Sequence, residues 1–154
     1  MKIRTILLTM AALFAVVAVC FAADVNMGSW KLNEAKSKIS PGAPKNTMVV
    51  IAPAGDNVKV TVDAVGADGK PAHNEWTGKF DGKDYPLTGD PRSNMRAYRQ
   101  VNDHTQDLTE KKDGKITTTG RIVVSADGKN RTVTASRTDA DGKKISFTYF
   151  YDKQ

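Results

Sequence analysis

The tripeptide Asp-Gly-Lys occurs five times in this 154-residue chain, at residues 68–70, 81–83, 113–115, 127–129 and 141–143. A tight hairpin turn needs positive backbone φ angles, which glycine adopts freely and aspartate tolerates, so Asp-Gly between alternating segments is a strong hairpin signal. An EF-hand calcium loop would instead need several acidic ligands at fixed spacing within about 12 residues, and none of the five copies has them. The repeat therefore predicts a series of antiparallel β-hairpins.

The segments between these turns alternate in polarity as half-buried strands do. Val58, Val60 and Val62 share one face of their segment, while the residues between them are polar. Strands separated by short local connections favour an up-and-down meander. The fold class predicted is all-β, with about ten antiparallel strands closed as a barrel. The strands are predicted at 28–33, 46–52, 57–65, 71–80, 83–88, 94–101, 104–112, 115–125, 130–139 and 143–152.

Residues 34–45 interrupt this pattern. They begin with good helix formers and end with Pro41, Gly42 and Pro44, which do not continue a helix. Asn33 is a suitable N-cap for a single helical turn. We expect one short helix or loop after the first strand, within a single domain.

The first residues have the build of an export signal. Lys2 and Arg4 precede an apolar stretch over 6–19, and small residues follow at Cys20 and Ala22. The apolar stretch is about 14 residues long, which is short of the roughly 20 that span a bilayer. We expect a signal peptide at 1–22 and a periplasmic or secreted barrel domain at 23–154, with no membrane span after cleavage. An uncleaved anchor and a lipid anchor on Cys20 are the alternatives.

Cleavage would remove the only cysteine, so the exported chain would have neither a disulfide nor thiol chemistry. It would also lower the net charge from +6 to +4, because two of the 23 basic residues lie in the signal. The remaining basic residues are scattered, and no basic run is interleaved with stacking aromatic residues. The composition therefore predicts no nucleic-acid partner.

The sequence carries no signature of catalysis. It has two histidines, and it lacks the Gly-x-Ser-x-Gly elbow, the phosphate loop and the dinucleotide fingerprint. His73 and Glu75 share a strand face opposite Trp76, so we expect both to be exposed. Two distant histidines without a cysteine do not make a metal site, which needs three or four ligands. We expect no enzyme, no metal and no cofactor.

Both ends of the predicted domain resemble a known family. Gly28-Ser29-Trp30 opens the first strand, and the residues 142–153 read Gly-Lys-Lys-Ile-Ser-Phe-Thr-Tyr-Phe-Tyr-Asp-Lys. The chain resembles lipocalins and fatty-acid-binding proteins, the calycins, and small bacterial exported proteins with lipocalin-like barrels. The resemblance implies structural roles for Gly28 and Trp30. Trp30 would plug one end of the barrel, with its indole N–H on a carbonyl.

Two departures from fatty-acid-binding proteins affect the expected site. Those proteins insert two helices between the first two strands, where this chain has only about 12 residues. Their last strand also carries an arginine and a tyrosine that clamp a carboxylate. Tyr151 matches that tyrosine, but Tyr149 stands in place of the arginine, and a phenol cannot copy its bidentate clamp. The carboxylate site therefore does not carry over.

Another arginine could take that role. Arg99 shares a face with Met95, Ala97 and Val101, so we predict that it points into the barrel, whereas Arg121 is predicted to point outward. Strand 130–139 is strongly apolar on neither face, which favours a partly polar interior. The residues predicted to line a ligand cavity are Trp76, Phe80, Tyr85, Met95, Arg99, Phe147, Tyr149 and Tyr151.

The leading functional hypothesis is an exported protein that binds a small apolar or amphipathic molecule in a cavity of the barrel. The alternative is an envelope protein-interaction or inhibitor module that uses the rim loops of the same scaffold without a ligand. The sequence leaves the oligomeric state open.

Overall fold

The structure, a computed structural model, describes residues 24–41, 43–138 and 142–154. This part of the chain is all-β, as predicted, and the predicted signal peptide with Cys20 lies outside it. Its strands are β1 Gly28–Leu32, β2 Lys45–Ala54, β3 Asn57–Val65, β4 Pro71–Gly78, β5 Tyr85–Thr88, β6 Met95–Asn102, β7 Thr105–Lys112, β8 Lys115–Val124, β9 Asn130–Thr138 and β10 Lys144–Lys153.

Each strand pairs antiparallel with its neighbours in sequence, and the first strand closes the sheet against the last. In that closing ladder Trp30 pairs with Lys153 and Leu32 pairs with Tyr151. The predicted up-and-down barrel is therefore confirmed. Closure also removes the unpaired edges that an open sheet would expose.

The β7–β8 turn shows how the Asp-Gly pairs set the strand register. Lys112 and Lys115 pair across it, so Asp113 and Gly114 form a two-residue turn. Both have positive φ, 50° and 80°, as a type I′ turn requires. This turn matches the natural twist of the strands and starts the β7–β8 pairing, whose register then shifts at an irregularity between Glu110 and Lys111.

The segment between β1 and β2 contains one turn of 3₁₀ helix, Glu34–Lys36, as expected for a short helix or loop. The side chain of Asn33 caps it by accepting a hydrogen bond from the backbone N–H of Lys36. Lys38 then exchanges two backbone hydrogen bonds with Thr148 of β10. The crossing is therefore tied to the barrel wall. Within the residues described, no helix is long and apolar enough to cross a membrane.

Trp30 is fully buried at one end of the barrel, where the resemblance places it. Its indole Nε1 donates a hydrogen bond of 2.8 Å to the backbone carbonyl of Asn26. The ammonium group of Lys153 lies 4.9 Å from the centre of the indole ring. Gly28 has a φ of +118°, and a Cβ at this position would lie only 3.0 Å from Cε of Lys153. The Gly-x-Trp motif therefore closes this end of the barrel.

Candidate ligand-binding cavity

A cavity of about 540 Å³ occupies the barrel interior. This volume falls within the range of small-molecule sites, about 300–1,000 Å³. Residues beside the β1–β2, β5–β6, β7–β8 and β9–β10 connections line its mouth, among them Pro44, Pro91, Lys112 and Thr138. Trp30 closes the opposite end, so the cavity has one floor and one mouth.

The cavity wall combines apolar and polar side chains. Its apolar part comes from inward positions of several strands, including Val49, Val62, Ile122 and Val133. Of the predicted ligand contacts, Phe147, Tyr149 and Tyr151 line the cavity, all from one face of β10. Such a wall suits a molecule with both an apolar and a polar part.

The two tyrosines of this wall are buried. The hydroxyl group of Tyr149 donates a hydrogen bond to the backbone carbonyl of Pro44. Burial raises the pKa of Tyr149 to about 12, and it also raises the pKa of Tyr151 above its usual value. Both phenols are therefore neutral hydrogen-bonding groups at physiological pH.

A buried ion pair lies within the wall. Nε of Arg96 donates a hydrogen bond of 2.8 Å to Oε1 of Glu110, and Nη2 lies 2.6 Å from the same oxygen. Burial disfavours the charged guanidinium, but Tyr98 and Glu110 outweigh it and raise the pKa of Arg96 above its ordinary value. The pair is therefore charged and mutually compensated.

A second arginine of the wall has no such partner. Arg131 of β9 is only 3% exposed, and its Nε has no hydrogen-bond partner among the described residues. Its guanidinium carbon lies 5.7 Å from the centre of the Tyr151 ring. Burial lowers the pKa of Arg131. An arginine nevertheless stays protonated in a protein, so this charge remains in the cavity.

The structure does not bring Trp76, Phe80 and Tyr85 to the cavity wall, contrary to the sequence prediction. They form an aromatic cluster beside it, with Trp76 stacked on Phe80 at 6.2 Å and in edge contact with Tyr85 at 5.8 Å. Trp76 also contacts the ring of Tyr98 at 4.8 Å. Only Tyr98 of this group lines the cavity, and the buried Trp76 belongs to the hydrophobic core next to it.

The prediction that Arg99 points inward is wrong. Its side chain is 67% exposed and forms a salt bridge with Asp107, which also binds the outward Arg121. Met95 shares this outward face of β6 and does not line the cavity. The apolar neighbours of Arg99 were a misleading signal, because one of them, Val101, is 47% exposed.

The sequence reasoning missed the inward charged residues Arg96, Glu110 and Arg131. On β6, Arg96 has the same strand parity as Tyr98, and both side chains face the cavity. On β9, Arg131 has the same parity as the buried Val133. The alternation on β9 is visible in the sequence, and it could have identified Arg131 as an inward residue.

The outward faces of β3 and β4 carry the polar residues expected there. His73 is exposed, with Nδ1 2.6 Å from Oδ1 of Asp63 and Nε2 3.4 Å from Oε1 of Glu75. Among the described residues, no three histidine, cysteine, aspartate or glutamate side chains are grouped so that they could hold a metal ion.

Comparison with known proteins identifies the fold. No family model matches the chain, and no curated protein matches it. The barrel is similar to the solved structure of EF1p2_mFAP2b bound to DFHBI, with a TM-score of 0.52 and 13% sequence identity. The match covers 86% of this chain and 97% of the other. At this identity the similarity shows a shared barrel architecture.

Proposed function

We propose that this protein is an exported, lipocalin-like barrel that binds a small amphipathic molecule in its central cavity. The observation that carries the proposal is the cavity of about 540 Å³, with apolar walls, buried polar groups and a single mouth. A small barrel either fills its interior with side chains or holds one small ligand, and this barrel is not filled.

The structural neighbour supports the same conclusion, because a barrel of similar architecture is bound to a small dye, DFHBI. The proposal is for binding without turnover, since the sequence has no recognisable nucleophile motif or cofactor fingerprint. Export to the periplasm or beyond follows from the predicted signal peptide at 1–22.

The test uses two variants of neighbouring residues on β9. Val133 is buried and lines the cavity, whereas Thr134 is exposed on the opposite face. Val133→Phe fills part of the cavity with a larger side chain, and Thr134→Phe adds the same ring to the outside. Binding of an environment-sensitive amphipathic probe is measured by fluorescence titration, after circular dichroism has confirmed folding.

We expect Val133→Phe to weaken probe binding by at least about tenfold, and Thr134→Phe to leave it unchanged. If Val133→Phe does not fold, Val62→Phe on the facing part of the cavity wall replaces it. A folded wild-type protein that binds neither probes nor a co-purifying molecule in native mass spectrometry would contradict the proposal. Equal weakening by both ring substitutions would place the probe outside the cavity.

A further inference from the structure

The charged side chains buried in the part of the chain that the structure describes include Asp90, Arg96, Glu110 and Arg131. Arg96 and Glu110 compensate each other through the contacts given above. Asp90, near the mouth, accepts three hydrogen bonds from Arg92, one from its backbone N–H and two from its guanidinium. Arg131 is therefore left as an uncompensated positive charge inside the barrel.

An isolated buried charge is costly, and buried charges in proteins are normally paired or hydrogen-bonded. The ring of Tyr151 offers Arg131 only a cation–π contact at 5.7 Å. A guanidinium has five N–H donors, and the Nε of this one has no hydrogen-bond partner among the described residues. The Arg131 side chain lines a cavity large enough for a ligand, so an anionic group of that ligand would complete the site.

The position of Arg131 sets the orientation of the ligand. It is the second residue of β9, next to the β8–β9 connection and to the end closed by Trp30. Arg137 lies six residues further along the same strand, about 20 Å away at the usual rise per residue, beside the mouth. Between them, the inward Val133 and Ala135 provide an apolar wall. A negative head group at the floor would place an apolar tail along this wall, toward the mouth.

We propose that Arg131 binds the carboxylate head group of the ligand, and that Glu110, by neutralising Arg96, restricts the site to one negative charge. The inference rests on the proposed function and names the ligand class, an amphipathic monoanion. Arg131 lies on β9, so this site differs from a clamp on the last strand, where Tyr149 replaces the arginine. The planar guanidinium fork matches a carboxylate, with which it can form two parallel hydrogen bonds.

The experiment compares three ligands of equal chain length by isothermal titration calorimetry: an alkyl carboxylate, its neutral methyl ester and the corresponding alkyl phosphate. We expect the wild-type protein to prefer the carboxylate over the ester by about tenfold to a hundredfold, as for hydrogen bonds to a charged group. Arg131→Gln should remove that preference while ester binding persists. The control Arg99→Gln, on the outer surface, should keep the full preference.

The proposed restriction to one negative charge on the ligand, here called the charge limit, is tested separately. Glu110→Gln frees Arg96, so it should increase binding of the phosphate dianion relative to the carboxylate. In the wild-type protein, alkyl phosphate binding should weaken as the pH rises through about 6, where the second phosphate proton is lost. This second measurement needs no variant, so it remains valid if Glu110→Gln does not fold.

A ¹³C-labelled carboxylate ligand gives a third readout on the wild-type protein. Contact with Arg131 should keep the bound carboxylate ionised well below its pKa in water. Equal binding of carboxylate and ester, with normal titration of the bound carboxylate, would overturn the inference and leave the proposed function intact. Binding of none of the three ligands would overturn the inference, and the proposed function falls with it only where the amphipathic probe and native mass spectrometry also show no ligand. Stronger binding of the phosphate dianion than of the carboxylate by the wild-type protein would refute the charge limit.

Discussion

Replacement of Arg131 by methionine should stabilise the ligand-free protein. The substitution removes a buried charge whose Nε has no hydrogen-bond partner among the described residues, and methionine fills most of the same volume. Replacing buried ionic groups by apolar residues of similar size is often neutral or stabilising by about 1–4 kcal/mol. The lost cation–π contact with Tyr151 offsets about 0.5–2 kcal/mol of this gain. The midpoints of these two ranges give a net increase of about 1 kcal/mol in the free energy of unfolding.

Glu110→Ala should lower the free energy of unfolding, because it leaves Arg96 as a second uncompensated charge. Breaking a buried pair in this way costs about 3–5 kcal/mol. Arg99→Met, on the exposed surface, should change stability by no more than about 0.5 kcal/mol.

Urea denaturation, followed through the fluorescence of the buried Trp30 and Trp76, measures all three variants. In thermal unfolding, 1 kcal/mol corresponds to about 4 °C for a domain of this size. If Arg131→Met destabilises the ligand-free protein as strongly as Glu110→Ala does, the charge of Arg131 is already compensated without ligand, and the reasoning fails.

Two further predictions concern the barrel wall. Gly120→Ala should cost about 1–3 kcal/mol of stability in urea denaturation, since the new Cβ would lie 2.7 Å from Cβ of Ala135 on the neighbouring strand. The control is Thr119→Ala, at an exposed position of the same strand. Equal effects of the two substitutions would contradict the steric argument. The pKa of His73, measured by NMR titration, should lie above 6.5, because Asp63 hydrogen-bonds its ring and Glu75 reinforces the effect. Because the folded-state pKa is raised, the stabilisation is present below the unfolded-state pKa and is lost as the pH rises through the folded-state pKa. Asp63→Asn should lower that pKa toward its ordinary value, and an unchanged pKa would contradict this cause.

The fold was predictable to a large extent because the turn residues and the alternation of apolar residues along the strands are both consistent with one closed barrel. The turn at Asp113 and Gly114 starts the β7–β8 hairpin, and the alternation of Val58, Val60 and Val62 gives β3 its inward face. The strands agree with their predicted ranges to within about two residues at most boundaries, which is the usual uncertainty at strand ends.

The site was predictable only in part, for two physical reasons. On β6 both faces carry apolar residues, so the alternation alone could not decide between an inward Arg96 and an inward Arg99. On the β4–β5 side, Phe80 belongs to the connection between strands, and its stacking on Trp76, four residues earlier, is a local contact that strand alternation does not encode. The face of β10, by contrast, was predicted correctly, because aromatic residues occupy its inward positions without interruption from Phe147 to Tyr151.

The burial of Arg131 also bears on the choice between ligand binding and a protein-interaction module. A module that acts through its rim loops gains nothing from an unpaired cation next to the floor of the barrel, and an apolar residue there would make the fold more stable. Functional sites commonly retain groups that lower the stability of the free protein. A ligand that supplies the missing negative charge accounts for the residue, for its position far from the mouth, and for the cavity beside it. Higher stability of Arg131→Met together with weaker carboxylate binding would show both sides of this trade-off in one substitution.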